Sequence, residues 1–557
     1  MTESLALCLG HPRFDSPTLQ GSTTPQTTQA AWRDRVARLG PRAAAASVHG
    51  DFAVGLVDEQ GRSFLCVDPF GVRTLCWRLV GGRLRFAERA DQLADADTPI
   101  DPQAIYEYLY FHVVPSPRTI YQRIQRLPPG HFLWFADGKV EVAPYWLPNF
   151  DVDPGITFES AKAQFRDLLD QAVRRELDGS KPACFLSGGT DSSTVAGVIG
   201  RVTGQPAASY SIGFEAEGFD EMAFARTAAR HFGTEHHEYY VTPADLQASM
   251  AQVANAYDQP FGNSSVLPAY YCARMAHDDG VTRLLAGDGG DELFGGNTRY
   301  AKQRIFGFYD QVPGLLRRGL LEPLLDTQWA GRIPVLKKGK SYIEQASVPM
   351  PDRMQMYNLL RRLGPEQVLA PAMLSAIDQS APLRAQREVW ALPPGAGELN
   401  RQLAFDWRYT LAECDLPKVC GSTALAGVGV GFPLLDRDLV DFSLRLPDAY
   451  KLRGLKLRWF FKEALRGFLP DATIAKKKQG FGLPFGVWAT QHEGLRRLAA
   501  DALDSLGGRG IVNTDFLRRL IDEQLPAHPS YYGEMVWILT MLELWLQGHA
   551  PDYRIDA

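Results

Sequence analysis

One glycine-rich turn constrains the fold of this chain more than any other stretch. The sequence SGGTDSS at residues 187–193 follows the apolar run CFL at 184–186 and leads directly into a helical pattern. A buried strand, a turn with two glycines and a helix start together aim several backbone N–H groups at one point, which suits an anion. The stretch therefore predicts a phosphate-binding loop.

The acid inside this turn indicates what kind of phosphate loop it is. Asp191 would repel a polyphosphate unless a cation lay between them, so it is predicted to bind Mg²⁺. Ser187 and Ser192 can add hydroxyl donors. The lysine of a Walker loop is missing, so that class of loop is excluded. A Gly-Ser turn before a helix, without a ligand, is the structural alternative for a motif this short.

Composition bounds the class of protein. The chain has 557 residues, 45% of them apolar and 22% charged, which predicts a globular protein of two to four domains. A net charge of −5 gives no electrostatic case for nucleic acid or an anionic membrane as partner. The 7 cysteines show no metal-ligand spacing, so a reduced, cytoplasmic protein is expected. No stretch is long and apolar enough to predict a membrane span.

Two kinds of pattern divide the chain. Residues 5–147 contain short β-type runs separated by turns, and the proline-rich stretch 144–154 is interpreted as an inter-domain connection. Beyond it, strand and helix patterns alternate, which predicts a doubly wound parallel sheet that binds ligands at the carboxyl ends of its strands. The predicted elements of this part are strands at 183–186, 207–213, 238–241 and 284–287, and helices at 158–177 and 221–232. The apolar, aromatic run 535–546 is predicted to be core packing within a helical C-terminal region.

A second glycine-rich turn carries further acids. The sequence GDGGDELFGG at residues 287–296 follows an apolar strand end, and Asp291 would complete Mg²⁺ coordination with Asp191. An acidic turn that merely caps a helix would explain one of these acids but not the glycines on both sides.

These two turns occur with other motifs in an order that resembles asparagine synthetases. The further motifs are YSIGF at 210–214, YDQPFGNSS at 257–265, FPLLD at 432–436, KLR at 451–453, KQGFGLP at 478–484, and, earlier, DPFGVR at 68–73 and RLPPGH at 126–131. The resemblance covers nearly the whole chain. It implies an N-terminal glutaminase-like domain over 1–150, with the αββα sandwich of N-terminal nucleophile hydrolases, and an ATP pyrophosphatase domain over 151–557. It also implies ATP and Mg²⁺ as cofactors and favours a homodimer.

The resemblance assigns roles to particular residues. The residues that would bind ATP and its pyrophosphate are Leu186, Ser187, Gly188, Gly189, Asp191, Ser192, Ile212, Gly213, Ala286 and Gly287. Asp191 and Asp291 would bind Mg²⁺. Lys478 would contact the α-phosphate, where a mobile ammonium can follow the developing negative charge. Asp288 would lie near the attacking amine, as general base or as a residue that positions the amine.

The sequence also departs from the family pattern. Glutamine-dependent members begin with a catalytic cysteine, whereas Thr2 follows Met1 here and Cys8 could serve only after removal of a propeptide. The N-terminal domain is therefore predicted to keep its scaffold but not its chemistry. A Glu-x-Arg pair before Pro433 is replaced by Gly429 and Gly431, which predicts an enlarged acceptor pocket. Gln259 and Glu292 are assigned to the same pocket.

These features predict an ATP-dependent ligase that activates a carboxylate as acyl-AMP and transfers it to an amine without using glutamine. A dead glutaminase beside an intact adenylation site is known in β-lactam synthetases and lasso-peptide cyclases, so a lactam, a macrolactam or another amine-ligated product is one form of this prediction. Its substrates would be small molecules or peptides. Two alternatives stay open: asparagine formation from aspartate with free ammonia, or with glutamine if processing exposes Cys8, and a non-catalytic nucleotide-binding homologue.

Overall fold

Antiparallel sheets occupy the first part of the chain and a parallel sheet the second. The computed structural model describes residues 6–14, 25–216, 218–310, 342–477 and 482–555. The strands, in chain order, are β1 Ala6–Gly10, β2 Arg13–Phe14, β3 Val48–His49, β4 Phe52–Val57, β5 Ser63–Val67, β6 Cys76–Val80, β7 Arg83–Ala87, β8 Gln125–Arg126, β9 His131–Ala136, β10 Lys139–Pro144, β11 Ala183–Phe185, β12 Ala208–Phe214, β13 Glu235–Val241, β14 Arg283–Leu285, β15 Gly429–Gly431, β16 Leu452–Arg453 and β17 Lys456–Leu457.

The N-terminal part is a sandwich of two antiparallel sheets. One has the order β1-β4-β5-β9-β10 and the other the order β7-β6-β8. Apolar side chains, among them Leu65, Trp77 and Leu133, form the core between the sheets. The helices Pro25–Leu39 and Pro41–Ala46 cover the other face of the larger sheet through a core around Trp32.

The helix Pro102–Phe111 connects the two parts of the chain. Asp101 caps its first turn by accepting a hydrogen bond from Gln103 N, and its apolar side chains belong to a core that also contains Trp537. The Tyr108 hydroxyl donates to Ile538 O over 2.8 Å. One apolar core therefore runs from the N-terminal sandwich into the C-terminal helices.

The second part is built on a parallel sheet with the order β13-β12-β11-β14-β15. The predicted strands and the parallel arrangement are confirmed, although β13 begins three residues earlier than predicted. The edge strand β15 was not predicted as a strand, because a Gly-Val-Gly run has little strand propensity of its own. It pairs in register with β14, which shows that tertiary pairing decides its structure.

Helices surround this sheet and continue to the C-terminus. Those that border the sheet are Phe158–Glu176, Thr190–Thr203, Met222–Phe232, Pro243–Ala256, Val266–Asp278, Gly290–Phe294 and Leu416–Leu425. Later helices include Thr298–Asp310, Ala381–Ala391, Glu398–Asp406, Arg437–Arg445, Trp459–Ala464, Asp471–Ala475, Phe485–Gln491, Glu493–Gly507, Thr514–Arg519 and Pro529–His549, and Trp407–Asp415 is π-helical.

The C-terminal helix Pro529–His549 lies in the core, as its composition predicts. Trp537 and Trp545 are fully buried, and each indole N–H donates to a backbone oxygen, of Gly262 and Tyr257 respectively. These hydrogen bonds satisfy the polar ends of otherwise apolar side chains. Within the described ranges, we find no helix that combines the length and the apolar character needed to cross a bilayer.

Candidate active site

The two glycine-rich turns lie side by side at the edge of a large cavity. Strands β11 and β14 are parallel neighbours, so the turns that follow them meet at the same edge of the sheet. The contact is so close that a Cβ on Gly287 would lie 2.8 Å from Ser192 N. The cavity they border has a volume of about 1060 Å³. Ligand sites generally range from about 300 to 1,000 Å³, so there is room here for a nucleotide and a second substrate.

The first turn has the geometry of an anion-binding loop. Gly188 adopts φ +69°, and a Cβ there would lie 2.4 Å from Ala225 N, so glycine is required by both conformation and space. The Ser187 N–H donates to Ser192 Oγ over 3.1 Å, which fixes the start of the helix Thr190–Thr203. The N-terminus of that helix then faces the cavity, with its backbone donors and positive dipole end.

A guanidinium group connects the acids of the two turns. Arg458 adopts a left-handed backbone conformation with φ 53°, and its side chain is only 6% exposed. Its Nη1 lies 2.7 Å from Asp191 Oδ2 and 3.0 Å from Asp291 Oδ1, and it also donates to Thr190 Oγ1 over 2.8 Å. Its Nη2 makes a second contact with Asp191. The two carboxylates therefore converge on one cationic position.

Two glycines make this convergence possible. A Cβ on Gly290 would lie 2.2 Å from Asp191 Oδ1, and a Cβ on Gly296 would lie 1.7 Å from Asp291 Oδ1. Either side chain would displace a carboxylate from Arg458. The glycines of the second turn are therefore needed to leave space for the acids.

The paired carboxylates fit a divalent cation that is also held by phosphate. Mg²⁺ prefers oxygen ligands and is usually bound by one or two carboxylates together with substrate phosphates. Among the described residues, no group of three or more histidine, cysteine or acidic side chains is arranged to hold a metal by itself. Asp191 and Asp291 would thus hold the metal only together with oxygen atoms of a bound ligand.

A second group of charged residues forms another wall of the same cavity. It consists of Asp288, Glu292, Asp415 and Lys418. Lys418 Nζ lies 3.2 Å from Asp415 Oδ1 and 3.9 Å from Asp288 Oδ1. Burial opposes the charged form of Lys418, but Asp415 and Asp288 outweigh it and raise its pKa. This lysine therefore stays protonated.

Asp288 and Glu292, both from the second glycine-rich turn, are poorly solvated. Burial is the main cause that raises the pKa of Asp288 to about 6 and the pKa of Glu292 to about 8. The negative charge of Asp415 raises both further. Proton affinities shifted toward neutral pH are typical of groups that exchange protons or bind charged ligands.

Basic side chains from other elements also line this cavity. Besides Arg458, they are Lys456, Lys462, Arg466, Lys476 and Lys477. Lys476 Nζ pairs with Glu221 Oε1 at 3.1 Å and lies 3.5 Å from Ser187 O. Burial and the nearby Arg458 lower the pKa of Lys462. These basic side chains are suited to a polyanion.

Most residues predicted to bind the nucleotide line this cavity. They are Leu186, Ser187, Gly189, Asp191, Ser192, Ile212 and Gly287, and they are joined there by Asp288, Asp291 and Glu292. Gly188 and Gly213 instead support the lining, since a Cβ on either would meet a neighbouring residue closer than 3 Å. Ala286 is buried, with its N–H donating to Gly431 O over 2.9 Å. Lys478 lies outside the described residues.

Gly429 and Gly431, which the sequence predicts for the acceptor pocket, lie elsewhere in the structure. Both residues belong to β15, and neither lines the large cavity. The space beside Gly431 is filled, because a Cβ there would lie 2.4 Å from Glu176 Oε2 and 2.9 Å from Arg283 Nη2. The Glu176–Arg283 ion pair therefore supplies, from two other elements, the charges that the Gly-x-Gly sequence lacks.

Gln259 is likewise outside the cavity. It is buried, and its Oε1 accepts a hydrogen bond from Ile120 N over 3.3 Å, so it contributes to the contact between the two parts of the chain. The sequence pattern placed it in a pocket because its neighbours belong to a recognisable motif. Of the four residues assigned to the acceptor pocket, the structure brings only Glu292 into the cavity.

Sequence reasoning missed several charged residues of the site, three of which interact with its acids. Arg458, Asp415 and Lys418 line the cavity, and none lies within a glycine-rich turn. Asp415 and Lys418 are three residues apart across the junction of the π-helical segment with the next helix, and this spacing could have indicated a shared face. Nothing in the local sequence of Arg458 indicates its left-handed conformation.

Cys8 of the N-terminal sandwich lies within a strand. Cys8 lies in the middle of β1, opposite Val54 of β4, and packs beside the core around Trp32. Burial raises the pKa of its thiol to about 11. A thiol of this kind is a poor nucleophile near neutral pH.

Comparison with known proteins identifies the family. Residues 164–547 match the family model described as asparagine synthase, and residues 34–146 match the model of a glutamine amidotransferase domain. The chain belongs to the asparagine synthase family. The predicted membership is confirmed, and with it the class of enzyme, an ATP-dependent carbon–nitrogen ligase of the asparagine synthetase type.

The chain is similar in sequence to several proteins named asparagine synthetases. The chain is 24% identical over 486 residues to asparagine synthetase [glutamine-hydrolyzing] 1 of Bacillus subtilis, which covers 86% of this chain and 74% of the relative. It is 26% identical over 516 residues to a putative asparagine synthetase [glutamine-hydrolyzing] of Mycobacterium bovis, covering 89% and 76%.

Solved structures match more weakly. The glutamine phosphoribosylpyrophosphate amidotransferase from B. subtilis has 13% sequence identity and a TM-score of 0.17, over 50% of this chain and 60% of that one. An allosteric regulatory enzyme of purine biosynthesis has 14% identity and a TM-score of 0.16, over 37% and 44%. These scores are too low to support any argument about this chain.

Proposed function

We propose that the protein activates a carboxylate with ATP, forming acyl-AMP and pyrophosphate, and transfers the acyl group to an amine without taking nitrogen from glutamine. The observation that carries this proposal is the convergence of Asp191 and Asp291 on one cationic position beside the phosphate loop. An enzyme that only binds a nucleotide would not require two desolvated carboxylates at that point.

Each side of the cavity has a role in this reaction. The adenine and ribose would lie against Leu186 and Ile212, and the pyrophosphate against the loop 187–192 and the start of the following helix. Mg²⁺, when bound, would neutralise charge on the phosphate oxygens. Asp191 and Asp291 would hold it, and Arg458, displaced from between them, would then be free to contact phosphate.

The amide-forming step needs a group that accepts a proton. The amine nitrogen attacks the acyl carbon, the bond from that carbon to the phosphate oxygen breaks, and AMP leaves with its electron pair. The amine loses one proton in the process, and Asp288 is the carboxylate we assign to accept or position it. Lys478 is proposed to contact the α-phosphate, on the family resemblance alone.

The structure of the N-terminal sandwich supports a reaction without glutamine. An amidotransferase of this family needs a cysteine with a free terminal amine, whereas Cys8 is embedded in a hydrogen-bonded strand with its thiol pKa raised to about 11. The domain is proposed to act as a scaffold that closes one side of the ligase part.

Asparagine formation from aspartate and free ammonia is the second candidate. The observation that favours asparagine as the product is the name of the relatives, asparagine synthetases [glutamine-hydrolyzing], which the chain matches over 74% and 76% of their length. Those names do not point to free ammonia as the nitrogen source. The Gly429 and Gly431 departure no longer speaks against aspartate, because these residues lie outside the cavity. The choice therefore depends on the substrate that the enzyme accepts.

Pyrophosphate exchange into ATP separates these candidates. The full-length protein is incubated with Mg²⁺, ATP, labelled pyrophosphate and one carboxylate at a time, including aspartate, amino acids, β-amino acids and acidic peptides. Exchange with a peptide or other carboxylate but not with aspartate supports the proposal, and exchange with aspartate alone supports the second candidate. A protein that produces neither exchange nor AMP with any of them would be a binding protein, and the proposal would be rejected.

A further inference from the structure

We infer that the acceptor is a primary amine that enters as an alkylammonium cation and is recognised by Glu292 and Asp415. This inference rests on the proposed function and specifies the class of its second substrate. The feature that carries it is the acidic wall, which we define as Asp288, Glu292, Asp415 and Lys418.

Glu292 is the central residue of this wall. It is 6% exposed, it borders the cavity, and no lysine or arginine of the described ranges lies within ion-pair distance of its carboxylate. Its foremost electrostatic neighbours are the acids Asp415 and Asp406, and the nearby Arg299 is paired with Asp406. A buried carboxylate among carboxylates is costly unless a cation joins it.

The cations nearest to the wall are already engaged. Lys418 lies between Asp415 and Asp288, and Arg299 pairs with Asp406 at 2.9 Å. Four acids, Asp288, Glu292, Asp406 and Asp415, thus face two bases. Within the described residues, Glu292 lies among acids with no base of its own, and a ligand cation is the natural source of the missing partner.

The two walls of the cavity would orient the substrates relative to each other. The basic residues, among them Arg458 and Lys476, suit the phosphates, while the acidic wall attracts a cation. An ammonium group at Glu292 would be next to Asp288, the carboxylate assigned to take its proton. A carboxylate substrate would be repelled from the same position, so the charge pattern also prevents the acyl donor from occupying the amine site.

The size of the cavity indicates an organic amine rather than the ammonium ion alone. Apolar side chains of Val419 and Leu457 line the cavity as well, and they can contact carbon atoms that accompany the amine. A free small amine and the N-terminal amine of a peptide share this chemistry, and both are tested below.

Ligand-observed NMR tests the inference without knowledge of the acyl substrate. The full-length protein is saturated with Mg²⁺ and a non-hydrolysable ATP analogue, and saturation-transfer titrations are recorded at constant ionic strength with n-butylammonium chloride. The probes for comparison are 1-butanol, ammonium chloride and a tetrapeptide with a free N-terminus. We expect butylammonium to bind at least about tenfold more tightly than butanol, which is about one desolvated charge contact. The tetrapeptide, compared with its N-acetylated form, shows which amine source is preferred.

Variants assign the binding to the acidic wall. Glu292→Gln should weaken butylammonium binding about tenfold, and Asp415→Asn, on a different element, should weaken it severalfold. The matched control is Glu463→Gln, a cavity-lining glutamate that Arg466 already neutralises with a hydrogen bond of 3.0 Å, and it should leave the dissociation constant within twofold. Glu292→Asp should retain part of the affinity, because it keeps the charge.

The outcomes distinguish failure of this inference from failure of the proposed function. If the wild-type protein does not bind the ATP analogue, the proposed function fails. If it binds the analogue but binds butanol as well as butylammonium, or if Glu292→Gln and Asp415→Asn both bind the amine normally, the inference is overturned. Displacement of butylammonium by additional Mg²⁺ would show that the acidic wall is a second metal site and would also overturn it. If the Glu292→Gln variant no longer binds the ATP analogue, the result for Asp415→Asn alone decides whether the inference stands.

Discussion

The cavity and the contact between the two parts of the chain are both rich in charged side chains, but they use them differently. At the contact, Arg13 and Arg175 each lie 2.7 Å from Asp436, Glu176 pairs with Arg283, and the space left among these groups is about 40 Å³. In the ligase cavity, charged side chains surround a volume of about 1060 Å³; several of its bases are paired with acids, but Glu292 has no base paired with it within the described ranges. Charges that neutralise each other in a filled space hold a structure together, whereas an unpaired charge beside an open volume can bind a ligand.

The strongest test of this comparison removes one acid of the metal pair. Asp191→Asn should lower pyrophosphate exchange by on the order of 1,000-fold, because a bound cation contributes several kcal/mol to transition-state stabilisation. The measurement is the exchange rate as a function of Mg²⁺ concentration. Asp438→Asn, in an exposed ion pair with Arg175, is the matched control and should stay within twofold. Retained activity in Asp191→Asn would refute the metal role.

A pH profile of amide formation tests the acidic wall. Only the ionised carboxylate of Asp288 can accept a proton, and its pKa is raised to about 6, mainly by burial. At saturating amine, the rate should therefore fall as the pH drops below about 6. In Asp288→Asn, the fall in rate at low pH should disappear, and the rate should be about 100-fold lower than that of the wild type. An unchanged fall at low pH in the variant would assign it to another group.

Replacing the guanidinium between the two acids should affect stability and activity together. Arg458→Met leaves Asp191 and Asp291 facing each other, so we expect the free energy of unfolding without Mg²⁺ to fall by about 2 kcal/mol and catalysis by about tenfold. Added Mg²⁺ should restore most of the stability, since it replaces the lost positive charge. Thermal unfolding with and without Mg²⁺ measures this, and Arg466→Met is the control. Equal losses under both conditions would contradict a shared cation position.

A substitution at the contact between the two parts of the chain should lower stability without lowering activity. Glu176→Gln leaves Arg283 without its acid and is expected to lower the free energy of unfolding by about 2 kcal/mol, with pyrophosphate exchange per folded molecule unchanged within twofold. Chemical denaturation and exchange assays on the same samples give both quantities. Glu159→Gln, at an exposed pair with Lys162, should change neither. A loss of exchange without a loss of stability would mean that the contact takes part in catalysis.

The smallest effect is expected in the N-terminal sandwich. Cys8→Ser should leave amide formation unchanged, and neither wild type nor variant should release glutamate from glutamine, because a thiol with a pKa of about 11 is protonated at neutral pH. Glutamate release by the wild type that disappears in the variant would restore glutamine as the nitrogen source.

The two glycine-rich turns of the site could be predicted from the local sequence. The turn around Gly188 and the second turn around Asp291 each combine a strand end, glycines and a helix start within ten residues, so the pattern is visible in the chain itself. Arg458 reaches the site from a distant segment in a left-handed conformation that no neighbour predicts. Its role depends on tertiary contacts alone.

The errors have the same physical origin. Gly429 and Gly431 were interpreted as an open pocket because two large side chains were missing from a motif, but Glu176 and Arg283, far away in sequence, fill the space beside Gly431. A missing side chain predicts a cavity only if nothing else occupies its volume, and close packing makes such vacancies rare. The strand β15 was missed because its pairing partner, not its propensity, determines it.

The close approach of the two turns has a practical consequence for redesigning the enzyme. Positions 287, 290 and 296 must stay glycine in any library that seeks new acceptors, since even a methyl group there would press on Ser192 or on a carboxylate of Asp191 or Asp291. Diversity can instead be introduced at position 457, which lines the cavity and has no part in the metal pair or the acidic wall. Positions 415 and 418 are poorer choices, because Lys418 connects Asp415 with Asp288.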